Sequence, residues 1–455
     1  MPDGPAPEER PLPAITADEQ AETAESVIAM LEERLRRMPK IRAFERAVVY
    51  YNLGLAYSEK PTGIRQLNLT RAAGHLEKSA GLFEQAQKPM ERARALNALG
   101  SVLREMDRLD EALEAFRKST ELLPGEINPR EHGAAMNNIG LVLGDLGRLE
   151  EAFGAFSAAL QDFSGPDLVR QRTITLLNLG QASAASGDQD GLRHAIVRYL
   201  EALELADPQD DPRTWAQIHH SLGVAYTGVQ DPARAAEAFQ QALRVFTRNR
   251  FPFQYALSKN NLGLAYAQMG GVPALRRALA SYEDALRMLD VRMHREQWEQ
   301  VYRNMELAES ALADLGERRT RSEHLVLLLA DEEEEAMMSR MRERLTEYTL
   351  MAEPRRSNSL AELNAAVLAL PDDGARKVSG GWLHVLMELP HEQFLAGLSS
   401  WMRAYQVYDE AGRERAAEIM DWTVNHELLA PQRIRVRDTL YQLGWERPLG
   451  TGASE

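Results

Sequence analysis

The chain has no cysteine. Disulfides, thiolate metal sites and cysteine nucleophiles are excluded with it. Long apolar runs are missing too. None approaches the ~18 residues of a membrane span, and "LVLLLA" at 325–330 is only long enough for a buried helix segment. The Pro-rich, acidic start "MPDGPAPEERPLPA" lacks the basic-then-apolar order of a signal peptide. Positive charge is in deficit: 53 Lys and Arg stand against 68 Asp and Glu, a net −15. That balance disfavours bulk binding to nucleic acid or anionic membrane, and with neither a signal-peptide pattern nor a membrane-length apolar run a cytoplasmic location is expected. Catalytic signatures are equally scarce. There is no Walker loop, G-x-G-x-x-G or G-x-S-x-G elbow, and "VSGGW" at 378–382 is an isolated glycine pair. "HEQF" at 391–394 and "NHEL" at 425–428 fall short of H-E-x-x-H, and Pro390 separates His384 from His391. No catalytic residue, metal site or cofactor is expected.

What the chain does have is repetition. "NLGLAY" occurs at 52–57 and again at 261–266, with relatives at 98–103, 138–143, 178–183 and 221–226. The apolar residue before the glycine stands at 53, 99, 139, 179, 222 and 262, at intervals of 46, 40, 40, 43 and 40. A further step of 43 reaches Met305, where Glu306 replaces the glycine. Trp298 precedes Met305 by seven residues, as Trp215 precedes Leu222 and Tyr255 precedes Leu262. Each unit has a second half with a small-large-small triplet: Ala112–Phe116–Ser119, Ala152–Phe156–Ala159, Ala195–Tyr199–Ala202, Ala235–Phe239–Ala242 and Ala278–Tyr282–Ala285. The first unit gives Ala72–Leu76–Ser79. Spacing of i, i+4, i+7 puts each triplet on one helical face. Turn signals such as "MDRLDE" separate the halves, and Pro124, Pro208 and Pro252 are read as closing units. A pair of antiparallel helices cannot cover its own apolar face, but stacked neighbours can.

These residues resemble the tetratricopeptide repeat (TPR), whose pattern runs aromatic, Leu-Gly, Tyr three residues on, then Ala, Phe, Ala and Pro. The resemblance covers roughly residues 40–315. The period exceeds the usual ~34 residues and is similar to the long repeats of kinesin light chains and of bacterial signalling arrays. The stretch from Arg213 to Tyr266 also looks like arrays found beside caspase-like peptidases, although the cysteine such a peptidase needs is absent. The implied fold is all-α: a right-handed TPR superhelix of about seven helical pairs, with a capping N-terminal helix and a C-terminal helical domain.

The expected division has a disordered tail over 1–15, a capping helix over 16–39 and the array over 40–318. A long connecting helix follows over 319–354, then a helical domain over 355–445 and a disordered tail over 446–455. Thr16-Ala17-Asp18-Glu19 reads as a capping box. The acidic run Asp331–Glu335 reads as a solvated helix face, and "EPRRSNS" as a linker in which Ser357 or Ser359 caps the next helix. Helices are expected at 359–369, 375–388, 391–409, 411–429 and 432–443.

Asparagine recurs immediately before the Leu-Gly pair, at Asn52, Asn138, Asn178, Asn261 and Asn304; Ala98 and Ser221 fill the other two units. Asparagine is a middling helix former, so its repetition inside helices needs a reason. The resemblance to kinesin-light-chain-like arrays implies that these amides face the concave groove and grip a peptide backbone. The alternative is that they hydrogen-bond between adjacent repeats and support only the fold. One residue earlier stand Asn97, Asn137, His220, Asn260 and Arg303, candidates for the same groove. Arg94 and Arg104 are expected to make its N-terminal part basic, suiting an acidic ligand. A Lys-Asn carboxylate clamp is not evident.

The expected function is a non-catalytic scaffold or adaptor that holds a peptide segment or partner protein, with neither nucleic acid nor membrane as partner. The C-terminal domain would add a second interface that closes the groove, docks an effector or forms a homo-oligomer. Two other readings stay open: a ligand-gated bacterial signalling sensor, or an enzyme subunit with chemistry in the C-terminal domain.

Overall fold

A glycine inside a helix removes a side chain from one face, and whatever packs there can come closer. That relation recurs through the computed structural model, which describes residues 17–40 and 42–447. All its regular structure is helical. The capping box at Thr16 and the tails, apart from 446–447, lie outside the described residues. By packing, the chain divides into two compact units at Phe246/Thr247, inside the stretch expected to be one array.

The first unit opens with α1 (Ala17–Arg37) and continues as five helix pairs. These are α2 (Ala43–Glu59) with α3 (Arg65–Gln85), α4 (Pro89–Glu105) with α5 (Leu109–Leu122), and α6 (Pro129–Asp145) with α7 (Leu149–Asp162). Next come α8 (Val169–Ala184) with α9 (Gln189–Leu205) and α10 (Pro212–Gly228) with α11 (Pro232–Leu243). Proline opens α4, α6 and α10, where its missing N–H would be unpaired anyway. α1 lies on α2, where Tyr57 donates to Glu32 and Arg46 donates to the carbonyl of Met38.

In each pair the Leu-Gly glycine meets the large residue of the triplet. A Cβ on Gly140 would lie 2.6 Å from the Phe156 ring, and one on Gly223 the same distance from Phe239. Gly100 meets Phe116 and Gly180 meets Tyr199 in the same way, while Gly54 meets Leu76. The rings of Phe116, Phe156 and Phe239 are fully buried. Burying each contributes about 2–3 kcal/mol relative to leaving it in water. Asp107, Gly147 and Gln230 take the left-handed conformation in the turns that reverse the chain within a pair.

The second unit begins with a pair of the same construction, α12 (Pro252–Met269) and α13 (Val272–Met288), with Gly263 against Tyr282. Pro252 opens α12 and does not close a preceding unit, because proline fits the first helical position and no interior one. α14 (Arg295–Asp314) buries Met305 but exposes Glu306. It is the first half of a seventh unit. The next helix, α15 (Arg321–Asp331), packs on α13 and on the C-terminal helices.

The single helix expected over 319–354 is two helices, α15 and α16 (Glu334–Leu350), with Glu332 and Glu333 extended between them. Five successive carboxylates repel one another within one helix, and the break relieves this by turning Glu332 inward. Glu332 is buried, not solvated: it pairs with Arg340 at 2.8 Å, while Lys377 Nζ donates to the carbonyls of Ala330 and Glu332. Five further helices complete the unit: α17 (Arg355–Leu368), α18 (Asp372–Glu388), α19 (His391–Val407), α20 (Glu410–His426) and α21 (Ala430–Gln442). α17 starts at Arg355, not after a serine cap, and Ser357 donates to Glu353 from within it.

The α12–α14 core and the α15–α21 core are separate apolar clusters. Buried charge spans them. Arg344 of α16 is 2% exposed and reaches Glu283 at 2.7 Å and Asp284 at 3.5 Å on α13. Lys259 of α12 meets the same Asp284 at 2.9 Å. Burial pushes the Asp284 carboxyl up, but Lys259 and Arg344 outweigh it and hold the carboxyl below its ordinary range.

Two outcomes follow. Gly140→Ala is expected to destabilise by about 1–3 kcal/mol through overpacking, despite alanine's better helix propensity. Gly144→Ala, on the same helix with open space at its Cβ, stabilises by about 0.5–1 kcal/mol. Chemical denaturation of both variants measures the contrast. Arg344→Met takes from Glu283 its nearest cation and from Asp284 one of three, and is expected to cost about 3 kcal/mol in the same assay.

Candidate functional site: an amide ladder on the first helices

Within the first unit α2, α4, α6, α8 and α10 lie beside one another in succession, and within the second α12 lies beside α14; asparagines fall where several of them meet. Asn138 of α6 donates through Nδ2 to Oδ1 of Asn97 on α4, at 3.0 Å. Asn178 of α8 donates to Asn137 of α6, also at 3.0 Å. In the second unit Asn304 of α14 donates to Asn260 of α12 at 3.0 Å, and Asn260 donates onward to its neighbour Asn261 at 3.1 Å. The three bonds between helices share one register: the residue just before the leucine position donates to the residue two before it in the preceding repeat.

Each bond uses one of the roughly four hydrogen-bonding positions of an amide. Asn97, Asn137, Asn138 and Asn178 are only half-buried, so the rest of their capacity faces an accessible surface. The bonds help join neighbouring units, yet stacking does not demand them. Between α8 and α10 the same two positions hold Leu177 and Ser221, both buried. Between α2 and α4 they hold Tyr51 and Ala98. Asn52 is exposed on α2.

The charged candidates sit differently from expectation. Arg94 pairs with Glu131 at the start of α6, and Arg104 pairs with Asp145 at its end. Hydrogen bonding to Glu131 raises the Arg94 pKa. The basic patch expected from these arginines is therefore neutralised by the next unit. The pattern extends to Arg65 with Glu105, Arg130 with Asp167 and Arg170 with Asp211. Its signal was present in the sequence as an acid 37–41 residues after each arginine. Pairs this exposed each contribute about 0–1 kcal/mol.

Arg303 is exposed on α14. His220 on α10 packs edge-on against Phe239, and His219 packs against Trp215. Burial lowers both imidazole pKa values from 6.5 to about 4, so both are neutral at pH 7. His220 thus brings no charge to this face. Among the described residues no group of three or more His, Asp or Glu side chains is placed to hold a metal ion, and no helix is long and apolar enough to cross a membrane.

The two histidines set a pH dependence. Their folded-state pKa values lie below the unfolded value, so their contribution is complete above pH 6.5 and is lost as pH falls toward about 4. Replacing both His219 and His220 by Gln is expected to flatten the fall in Tm between pH 6.5 and pH 4.5, as followed by circular dichroism.

Residues 93–124, spanning α4 and α5, match the sequence profile of the tetratricopeptide repeat. A search of curated proteins finds no match. Among solved structures, BtubC (BKLC) from P. vanneervenii is 18% identical, with 50% of this chain and 91% of that one covered, at a TM-score of 0.40. A Rap protein complexed with competence and sporulation factor is 15% identical over 66% of this chain and 87% of that one, at a TM-score of 0.42. The apo form of RapI is 15% identical over 64% and 94%, at 0.45. Likeness of this size says nothing of function. The α4–α5 pair is a tetratricopeptide repeat, and its packing of a glycine against a large side chain recurs in the helix pairs after it, on a ring, and in the pair before it, on Leu76, so the chain carries tetratricopeptide repeats.

Proposed function

We propose that the chain is a non-catalytic interaction scaffold whose first-helix face in the first unit holds an extended segment of a partner protein. One observation carries this reading. Asparagine amides are repeated on the accessible face of α4, α6 and α8, although the junction of α8 with α10 is built without them. An amide pair that packing does not require is a ready donor and acceptor for a peptide backbone. Because such a pair reads backbone groups, it favours an extended chain over any one sequence. With Arg94 and Arg104 already paired, the ligand need not be acidic.

Two ladder bonds lie between successive units, so the contact residues are proposed as pairs: Asn97 with Asn138, and Asn137 with Asn178. Asn52 extends the line at one end. In the second unit, Asn260, Asn261 and Asn304 repeat the chemistry, with Asn260 largely buried.

The test is selection of random displayed peptides on the protein, followed by affinity measurement on a selected peptide. Changing Asn97, Asn137, Asn138 and Asn178 together to Ala is expected to weaken binding at least ~10-fold, equivalent to about 1.4 kcal/mol. Helicity should be retained, and each lost ladder bond should cost about 0.5–1.5 kcal/mol of stability at most. N-methylation of the peptide backbone should weaken binding as much. A peptide that tolerates backbone methylation, or that binds the quadruple variant normally, would refute the proposal.

A further inference from the structure

The core formed by α15 to α20 encloses a cavity of about 40 Å³. Most of its wall is apolar, including Leu329, Met341, Val367 and Met420. Four other wall residues carry buried hydrogen-bonding atoms without a partner: Arg344 (Nε and Nη1), Asn364 (Nδ2), Trp382 (Nε1) and Tyr408 (the hydroxyl). Arg344, Asn364 and Trp382 are 2%, 7% and 5% exposed.

Buried polar groups nearly always find partners, and an unpaired one costs about 1–3 kcal/mol. Four of them around one cavity call for a common occupant. Every orphaned atom can donate, and only the Tyr408 hydroxyl can also accept. The occupant must therefore supply acceptors. Its acceptor is neutral, because the Arg344 charge is already met by Glu283 and Asp284. The remaining wall favours an apolar body, since cavities lined by Leu, Val and Met hold water poorly. As it stands the space would take about three waters, at roughly 10–15 Å³ each. Met341 and Met420 are unbranched and adaptable, so a single ring can be admitted by rotamer changes.

We propose that this cavity binds a small molecule with a ring-sized apolar body and one neutral carbonyl acceptor. The site is distinct from the amide ladder and does not depend on it. Its occupant would share Arg344 with the ion pairs that tie α16 to α13, so filling the cavity would bear on how α16 is held.

Acetophenone and ethylbenzene have nearly the same shape, but only the first has a carbonyl. Saturation-transfer NMR titrations of the full chain with both probes test the site. Acetophenone is expected to bind at least ~10-fold more tightly than ethylbenzene. Asn364→Leu should abolish that preference by weakening acetophenone alone. Ser379→Phe, at a half-buried wall position, should block both probes while melting as a folded protein, which keeps the test decisive if Asn364→Leu does not fold. No acetophenone binding to the native chain, or equal affinity for the two probes, would overturn the proposal.

Discussion

In most of these helix pairs a glycine backbone lies directly against an aromatic ring. Gly100, Gly140, Gly223 and Gly263 each leave the room that Phe116, Phe156, Phe239 and Tyr282 occupy. The contact fixes how near two helices lie, and thereby how the pair presents its outer faces to the next. Interiors packed to crystal density tolerate little change at such points. The small residues flanking each ring, Ala152 and Ala159 beside Phe156 for example, are fully buried for the same reason. Once the spacing is set, the outward positions of the first helices are free to carry other chemistry, and there the asparagines stand.

Much of this was legible in the sequence because the determinants are local and periodic. The glycine and the ring belong to one unit, roughly 16–20 residues apart, and their spacing recurs. Helix positions, the half-built seventh unit and the turns could be read from that rhythm. Charge pairing was harder to see. Arg94 and Arg104 look like a basic surface until the next unit supplies Glu131 and Asp145. Glu332 looks like one carboxylate in a solvated run until the helix breaks and Arg340 takes it inside. Arg344 carries no mark distinguishing it from any surface arginine, because its burial depends on α13, some 60 residues away in the chain. An ion's partner is set by three-dimensional neighbours, whereas apolar periodicity is written along one helix.

The asparagines meet one of the two readings directly. They do bond between repeats, as the structural alternative held. They are nevertheless dispensable to stacking, since Leu177 and Ser221 make the same junction without an amide. Buried charge in the second unit is different in kind. Asp284 meets Lys259, Arg287 and Arg344 out of water, where solvent does not make good the loss of a cation. Amide pairs on an accessible face can exchange one partner for another; buried ion pairs cannot do so cheaply.

Glu306 has a consequence beyond its own helix. A stack built by repetition has no inherent reason to end, and a bare terminal face would invite another copy of the chain to continue it. With a glutamate where the glycine should be, α14 offers no seat for a ring, and its outer surface carries Glu296, Glu299, Arg303 and Glu306. The following helix turns its Leu325, Val326 and Leu329 into a separate core instead. Where the glycine is lost the repeat stops, and the helix after it belongs to a different core.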